Sequence, residues 1–166
     1  MLKPVKSKLL QARGASFAIV ASQFNARYVD AMLRAARAEL RRAGAMVITV
    51  VRVPGAYEIP VVATRLARIA STRGIANSRN QTLSAIICLG VILRGQTVHA
   101  AQIGEAVSRA LMGIQVRYEL PVIHEVLLLE NEEQARVRCL SKTHNRGTEA
   151  AQTALRMAKV MRDLRA

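Results

Sequence analysis

Four short apolar runs, each followed after a turn by a stretch of helical periodicity, constrain this chain more than any other feature. The first run is Ser16-Phe-Ala-Ile-Val-Ala-Ser22, and the second, Ala45 to Arg52, is rich in β-branched residues. The third covers residues 83–90 and the fourth Pro121 to Leu129. Apolar runs of this length, bounded by Gly, Pro or polar turns, read as buried strands. Between the first two, Tyr28, Val29, Met32, Leu33, Ala36 and Leu40 recur at i, i+3, i+4 spacing, which predicts an amphipathic helix over 26–43 that ends near Gly44. Glu58-Ile59-Pro60 opens a second helix through Val62, Leu66 and Ile69, since Pro is tolerated in a first helical turn. A third helix runs from His99 to about Tyr118, and a last one covers 148–165. Residues 131–138 predict a short helix that Asn131 can cap, with acids in its first turn.

Strands alternating with helices along a whole chain specify a parallel sheet covered on both faces. The expected architecture is α/β: a three-layer α/β/α sandwich around a four-stranded parallel sheet, doubly wound and flavodoxin-like. With 166 residues, the chain is about one domain. Residues 1–14, basic and ending in Gly14, read as an arm, residues 15–166 as a single domain, and the polar segment 71–82 as a surface loop. No apolar run is long enough to span a bilayer, and the first residues lack the apolar stretch of a secretory signal. Cys88 and Cys139 make no metal-type or disulfide pattern, so a reducing cytoplasm is the expected compartment.

The formal charge of +14 is high, and it admits nucleic acid, an acidic partner or small anions. The cations are dispersed: Lys3, Lys6, Lys8 and Arg13 in the arm, Arg34, Arg37, Arg41 and Arg42 on the first helix, and Arg156, Lys159, Arg162 and Arg165 on the last. Helical spacing turns many of them toward solvent. No base-stacking aromatics accompany these clusters, which argues against single-strand binding.

Candidate chemistry concentrates between Cys88 and Ala101. A strand that passes through a Gly-containing turn, Arg94-Gly95-Gln96-Thr97, into a helix beginning at His99 is suited to anions. The first N–H groups of a helix lack partners and its dipole favours negative charge there. A titratable His99 beside that turn adds proton transfer. In parallel sheets of this kind ligands sit outside the carboxyl ends of the strands. Here those ends carry Phe24-Asn25, Pro54 to Glu58, Ile92 to His99, and His124 with the residues after it.

This set of segments resembles the 6,7-dimethyl-8-ribityllumazine synthase family. The resemblance rests on Phe24-Asn25, Pro54-Gly-Ala-Tyr-Glu-Ile-Pro60, Gly90-Val-Ile-Leu-Arg-Gly-Gln-Thr-Val-His99, Glu133-Gln-Ala135 followed by Arg138, Asn145-Arg-Gly147 and Glu149-Ala-Ala. They fall in one order over roughly residues 16–160. The resemblance implies a cofactor-free, metal-free condensation of a ribitylaminouracil with 3,4-dihydroxy-2-butanone 4-phosphate, in riboflavin biosynthesis. It implies Phe24 stacking on the pyrimidine, Asn25 and Glu58 bonding the ribityl hydroxyls, and Ala56 and Tyr57 contributing backbone contacts. Val91, Ile92 and Leu93 would read the pyrimidine edge through their backbone. Gln96, Thr97 and Arg138 would hold the phosphate, and His99 would be the general acid/base. Plainer readings stand beside these: Phe24 as a core or turn residue, Glu58 as a first-turn helix acid, and Arg138 as a solvated charge with Arg136 as competitor. The resemblance also implies a homo-oligomer, a pentamer or an assembly of pentamers, with each site between adjacent subunits and riboflavin synthase as a further partner. Departures from the family pattern are Ala101, where an acid often follows the catalytic His, His124, where an aromatic from the neighbour often stacks on substrate, and the longer segment 71–82. The segment 71–82 bears on assembly, whereas Ala101 and His124, with the charge, frame an alternative: a weakly active member serving as a lumazine- or flavin-binding or anionic-cargo scaffold.

Overall fold

The structure, a computed structural model, describes residues 11–12, 14–73 and 83–164. Most of the expected arm and the 74–82 part of the expected loop lie outside the described residues. Four strands, β1 (Ser16–Ser22), β2 (Val47–Val53), β3 (Leu83–Leu93) and β4 (Val122–Leu129), form one sheet in the order β2-β1-β3-β4. All three pairings are parallel, with Phe17 opposite Ile48 and Ala85, and Cys88 opposite His124. The helices are α1 (Ala26–Arg42), α2 (Ile59–Arg73), α3 (His99–Tyr118), α4 (Glu132–Ala135) and α5 (Arg146–Asp163). The three-layer doubly wound sandwich expected from the sequence is therefore present. No helix among the described residues is long and apolar enough to cross a membrane.

Side-chain alternation along the strands divides the core in two. Phe17, Ile19 and Ala21 of β1 and Ile87 and Leu89 of β3 pack with Val29, Met32 and Leu40 of α1 and Ala151 and Leu155 of α5. Their neighbours Ala18, Val20, Ile86 and Cys88 face the other way, against Ile59, Ala63 and Ala67 of α2 and Val107 and Leu111 of α3. Both strand faces are buried, so the runs show no polar alternation, as a parallel sheet requires.

Several boundaries differ from expectation. The third strand does not end at Gly90 but continues to Leu93. Gly90 sits within it because a Cβ there would come within 3.1 Å of Val126 Cγ1 and 3.3 Å of Ile59 Cδ1, so the residue admits a close approach rather than a turn. Helix α2 keeps residues 71–73, which were expected in the loop, and Ser71 and Thr72 return their hydroxyls to the carbonyls of Ala67 and Arg68. A short 3₁₀ turn, Ala56–Glu58, precedes that helix. The expected helix over 131–138 is a single α turn, α4, followed by a π-helical turn over Arg136–Leu140. Asn131 caps α4 as expected, accepting from the Gln134 N–H at 2.9 Å. The last helix begins two residues early, at Arg146, because Asn145 accepts from the Gly147 N–H at 2.8 Å.

Gly147 marks the tightest contact of the fold. A Cβ on it would lie 2.0 Å from the carbonyl oxygen of Met32, so α1 and α5 touch backbone to backbone there. The sequence motif Asn145-Arg146-Gly147 thus combines a cap, an ion-pairing residue and a packing glycine.

Candidate active site

The strand order reverses between β1 and β3: from β1 the chain moves outward to β2, then returns to β3 on the other side. A crevice opens outside the carboxyl ends of strands at such a switch point. The register deepens it. β1 pairs with β3 only as far as Leu89, whereas β3 continues to Leu93 alongside β4. The β1-side edge of Gly90 to Leu93 therefore has no strand partner, and its backbone groups are open to other acceptors and donors.

The loop leaving β1 closes one side of this crevice. The N–H groups of Gln23 and Phe24 donate to carbonyls of Val53 and Pro54, tying the exits of β1 and β2 together. Asn25 then adopts a left-handed conformation, φ 56°, which Asn tolerates better than most residues. Its side-chain amide does not cap α1 but donates to the Val91 carbonyl at 2.8 Å. Asn25 so fixes the free edge of β3, and its Oδ1 has no partner among the described residues. Phe24 is 70 % exposed, so it is not a core residue.

Glu58 and Phe24 meet at Gly55. The Glu58 carboxylate accepts from the Gly55 N–H at 2.9 Å, and a Cβ on Gly55 would lie 2.9 Å from Glu58 Oε2 and 3.1 Å from the Phe24 ring. Gly55 is thus the space that lets an aromatic face and a carboxylate share one wall. The plainer reading of Glu58 is also realised, since its carboxylate bonds back to the Gly55 N–H that opens its own turn, with one carboxylate oxygen engaged. Ala56 is buried and packs against Gly90, whereas Tyr57 is exposed beside it. Val91 and Ile92 send their side chains into the two core halves, which leaves only their backbone to face a ligand.

The turn after β3 is solvent-exposed from Arg94 to His99. The Arg94 N–H donates to the Leu129 carbonyl at 2.8 Å and its guanidinium faces Glu130 at 3.3 Å, which pulls this cation toward the exit of β4. No side chain caps α3, and its first turn contains no acid. The leading N–H groups of this twenty-residue helix are therefore available beside Gln96 and Thr97. His99 is exposed at the first position of α3, and no hydrogen bond from the described residues orients its ring. Ala101, one of the departures, supplies none.

Two expected site residues lie apart from this cluster. His124 is the third residue of β4, opposite Cys88. It is therefore not at a strand's carboxyl end, where the sequence pattern had put it. The eight-residue β4 starts at Val122, so His124 sits well before its exit. Its Nε2 is 2.8 Å from Ser108 Oγ on α3, and that hydroxyl also donates to the Gly104 carbonyl. With the single hydroxyl proton so used, Nε2 carries the hydrogen in the neutral ring. Arg138 stands on the π-helical turn, which packs on α1, α4 and α5, whereas the Gln96–Thr97 turn leads into α3 on the opposite face of the sheet. Its rival Arg136 is 3.7 Å from Glu133, and Arg138 has no ion pair among the described residues.

Beneath that turn lies a group of charges whose buried member, Glu125, the sequence alone did not single out. Glu125, on β4, is only 4 % exposed. It binds Arg146 Nε at 2.6 Å, and Arg146 also binds Glu149 at 2.6 Å. Burial pushes the Glu125 carboxyl above its ordinary range, against the pull of the Arg146 and Arg138 charges. Burial likewise opposes the Arg146 cation, but the two carboxylates outweigh it and hold that guanidinium more firmly protonated. Cys139, buried beside them, has its thiol pushed up to about 11, chiefly by burial. Glu125 sits in an apolar strand run, and only its acidity within that run hinted at a partner.

The model of the 6,7-dimethyl-8-ribityllumazine synthase family matches residues 14–162. A 6,7-dimethyl-8-ribityllumazine synthase of Aquifex aeolicus is 37 % identical over 158 residues, covering 94 % of this chain and 96 % of its own. One from Xanthomonas oryzae pv. oryzae is 37 % identical over 149 residues, covering 89 % and 90 %, and one from Clostridium kluyveri is 34 % identical over 157, covering 93 % and 95 %. With the sandwich, the switch-point crevice and a match along nearly its whole length, the chain belongs to the 6,7-dimethyl-8-ribityllumazine synthase family.

Proposed function

We propose that this protein condenses 5-amino-6-(D-ribitylamino)uracil with 3,4-dihydroxy-2-butanone 4-phosphate to 6,7-dimethyl-8-ribityllumazine, releasing phosphate and water. An amine of the pyrimidine attacks the ketone and water leaves to form an imine. Loss of phosphate comes next, and ring closure with loss of a second water completes the product. No cofactor enters these steps, so the work is to hold two reactants in register and to move protons.

In this reading the pyrimidine lies against Phe24, with the Val91, Ile92 and Leu93 backbone along its edge. Asn25 and Glu58 take the ribityl hydroxyls, which suits a carboxylate with acceptor capacity to spare, and the loop at Ala56 and Tyr57 adds backbone contacts. Gln96, Thr97 and the start of α3 take the phosphate together with Arg138, whose fork matches phosphate oxygens. His99 shuttles protons, a role to which an imidazole is suited. The observation that carries this reading is the convergence at the switch point: an exposed Phe24 and a Glu58 carboxylate sharing Gly55, beside an unpaired strand edge that leads into an anion-suited turn.

Arg138 and His124 stand away from that convergence within one chain. This supports a site completed by a second copy, with Arg138 and His124 of one subunit facing Thr97 and Phe24 of the next. A pentamer or an assembly of pentamers, acting in the cytoplasm with riboflavin synthase as downstream partner, is the arrangement proposed. Mixing the purified protein with both substrates and following product fluorescence tests the activity. A rate well above the uncatalysed condensation is expected, and a rate equal to it overturns the proposal.

A further inference from the structure

The Glu125 cluster has a charge balance that bears on Arg138. Glu125 is buried on β4 and bonded to Arg146, which is shared with Glu149. Asn145, adjacent to Arg146, donates its side-chain amide to the Cys139 carbonyl in the π-helical turn. The residue before Cys139 is Arg138, so the cap of α5, the ion pair and the turn bearing the free guanidinium form one connected unit. Two carboxylates share the Arg146 guanidinium here, and Arg138, one residue before the bonded Cys139 carbonyl, has no ion pair among the described residues. Asn145 thus ties the turn that carries Arg138 to the residue paired with Glu125, and a carboxylate held in such a unit acts on a nearby guanidinium.

We propose that Glu125 and Arg146 are positioning residues that set the anion affinity of Arg138: Arg146 neutralises Glu125, and so keeps Arg138 free and its field undiminished for the phosphate of the substrate. This rests on the reading of Arg138 as a phosphate-binding residue. Neither Glu125 nor Arg146 is required to touch the reacting atoms, so the effect falls on the Michaelis constant of the phosphate substrate and not on turnover.

The two single substitutions act with opposite signs. Removing the buried negative charge, Glu125→Gln, raises the positive field at Arg138. Removing its neutraliser, Arg146→Met, lets the Glu125 carboxylate compete with phosphate for Arg138. Removing both restores the balance. The test measures the Michaelis constant for the butanone phosphate and the inhibition constant of inorganic phosphate in the intact enzyme. Expected changes are about threefold to tenfold: tighter in Glu125→Gln, weaker in Arg146→Met, and close to the parent in the double variant, with turnover unchanged throughout. A merely structural role would weaken binding in both single variants and more in the double one, and that result overturns the proposal. So does an unchanged constant in Glu125→Gln, which decides the matter alone if Arg146→Met does not fold. Arg138→Ala separates the two levels. If it leaves both constants unchanged, the phosphate-binding reading fails and this inference with it. If it weakens both while Glu125→Gln does not tighten them, only this inference fails.

Discussion

His99 has no partner to orient it among the described residues, and Ala101 supplies no carboxylate. Its contribution should accordingly be at the modest end for general acid/base catalysis. His99→Ala is expected to slow turnover by about 10²-fold or less, because holding the reactants together supplies most of the gain. Steady-state rates in folded protein check this, and complete loss of activity would contradict that division. Gly55 gives a sharper probe of the wall proposed to take the ribityl chain. A methyl there would press on the Glu58 carboxylate at 2.9 Å and the Phe24 ring at 3.1 Å. Gly55→Ala should therefore raise the Michaelis constant for the ribitylaminouracil while leaving that for the phosphate substrate nearly unchanged. Equal effects on both would mean the two subsites are not separable.

Among the elements, α1 and α5 are locked by one glycine and β3 is fitted around another. Gly147→Ala sets a methyl against the Met32 backbone, which cannot yield as a side chain can. It should cost at least the upper part of the ~1–3 kcal/mol usual for overpacking, and urea unfolding would show it. Gly90→Ala meets the ends of the Val126 and Ile59 side chains, with Ala56 Cβ at an ordinary 3.5 Å, and should cost less. Gly95→Ala meets nothing within 4 Å and should be close to neutral for stability. The strand–helix order was legible because burial on both faces leaves unbroken apolar runs and amphipathic helices leave a stripe. The extension of β3 past Gly90 was not, since a glycine that ends a strand and one that admits a neighbour look alike in sequence. The π-helical turn at Arg136–Leu140 also escaped, because it depends on Asn145 reaching back to Cys139, a contact between segments. Phe24 and Glu58 were legible as neighbours because strand ends in a parallel sheet converge. His124 was assigned to a strand exit although the apolar run itself, Pro121 to Leu129, already placed it near the start of β4, which spans Val122–Leu129.

For the whole molecule, acid stability should depend on Glu39. Its hydrogen bonds from Arg42, and then from Gln152, hold this carboxyl below its ordinary range despite burial. A depressed carboxyl stabilises the fold above its unfolded pKa, and that stabilisation is lost as pH falls through the folded value. Glu39→Gln should thus flatten the acid limb of the melting temperature against pH, and an unaltered limb would assign acid unfolding to other groups. Glu125 has the opposite sign. With its carboxyl raised, its contribution favours the fold most at low pH and declines as pH rises through the folded value. The proposed catalytic centre draws on two copies, with His99 from one and Arg138 from the other. Co-assembly of a His99→Ala chain with an Arg138→Ala chain tests it most directly, read as kcat/KM for the butanone phosphate. In a homo-oligomer mixed at random, about a quarter of the interfaces unite two unaltered halves. Activity of about that fraction of the parent should therefore appear in the co-assembled protein. A value equal to the mean of the two separate variants would place His99 and Arg138 in the same chain's site and contradict the account.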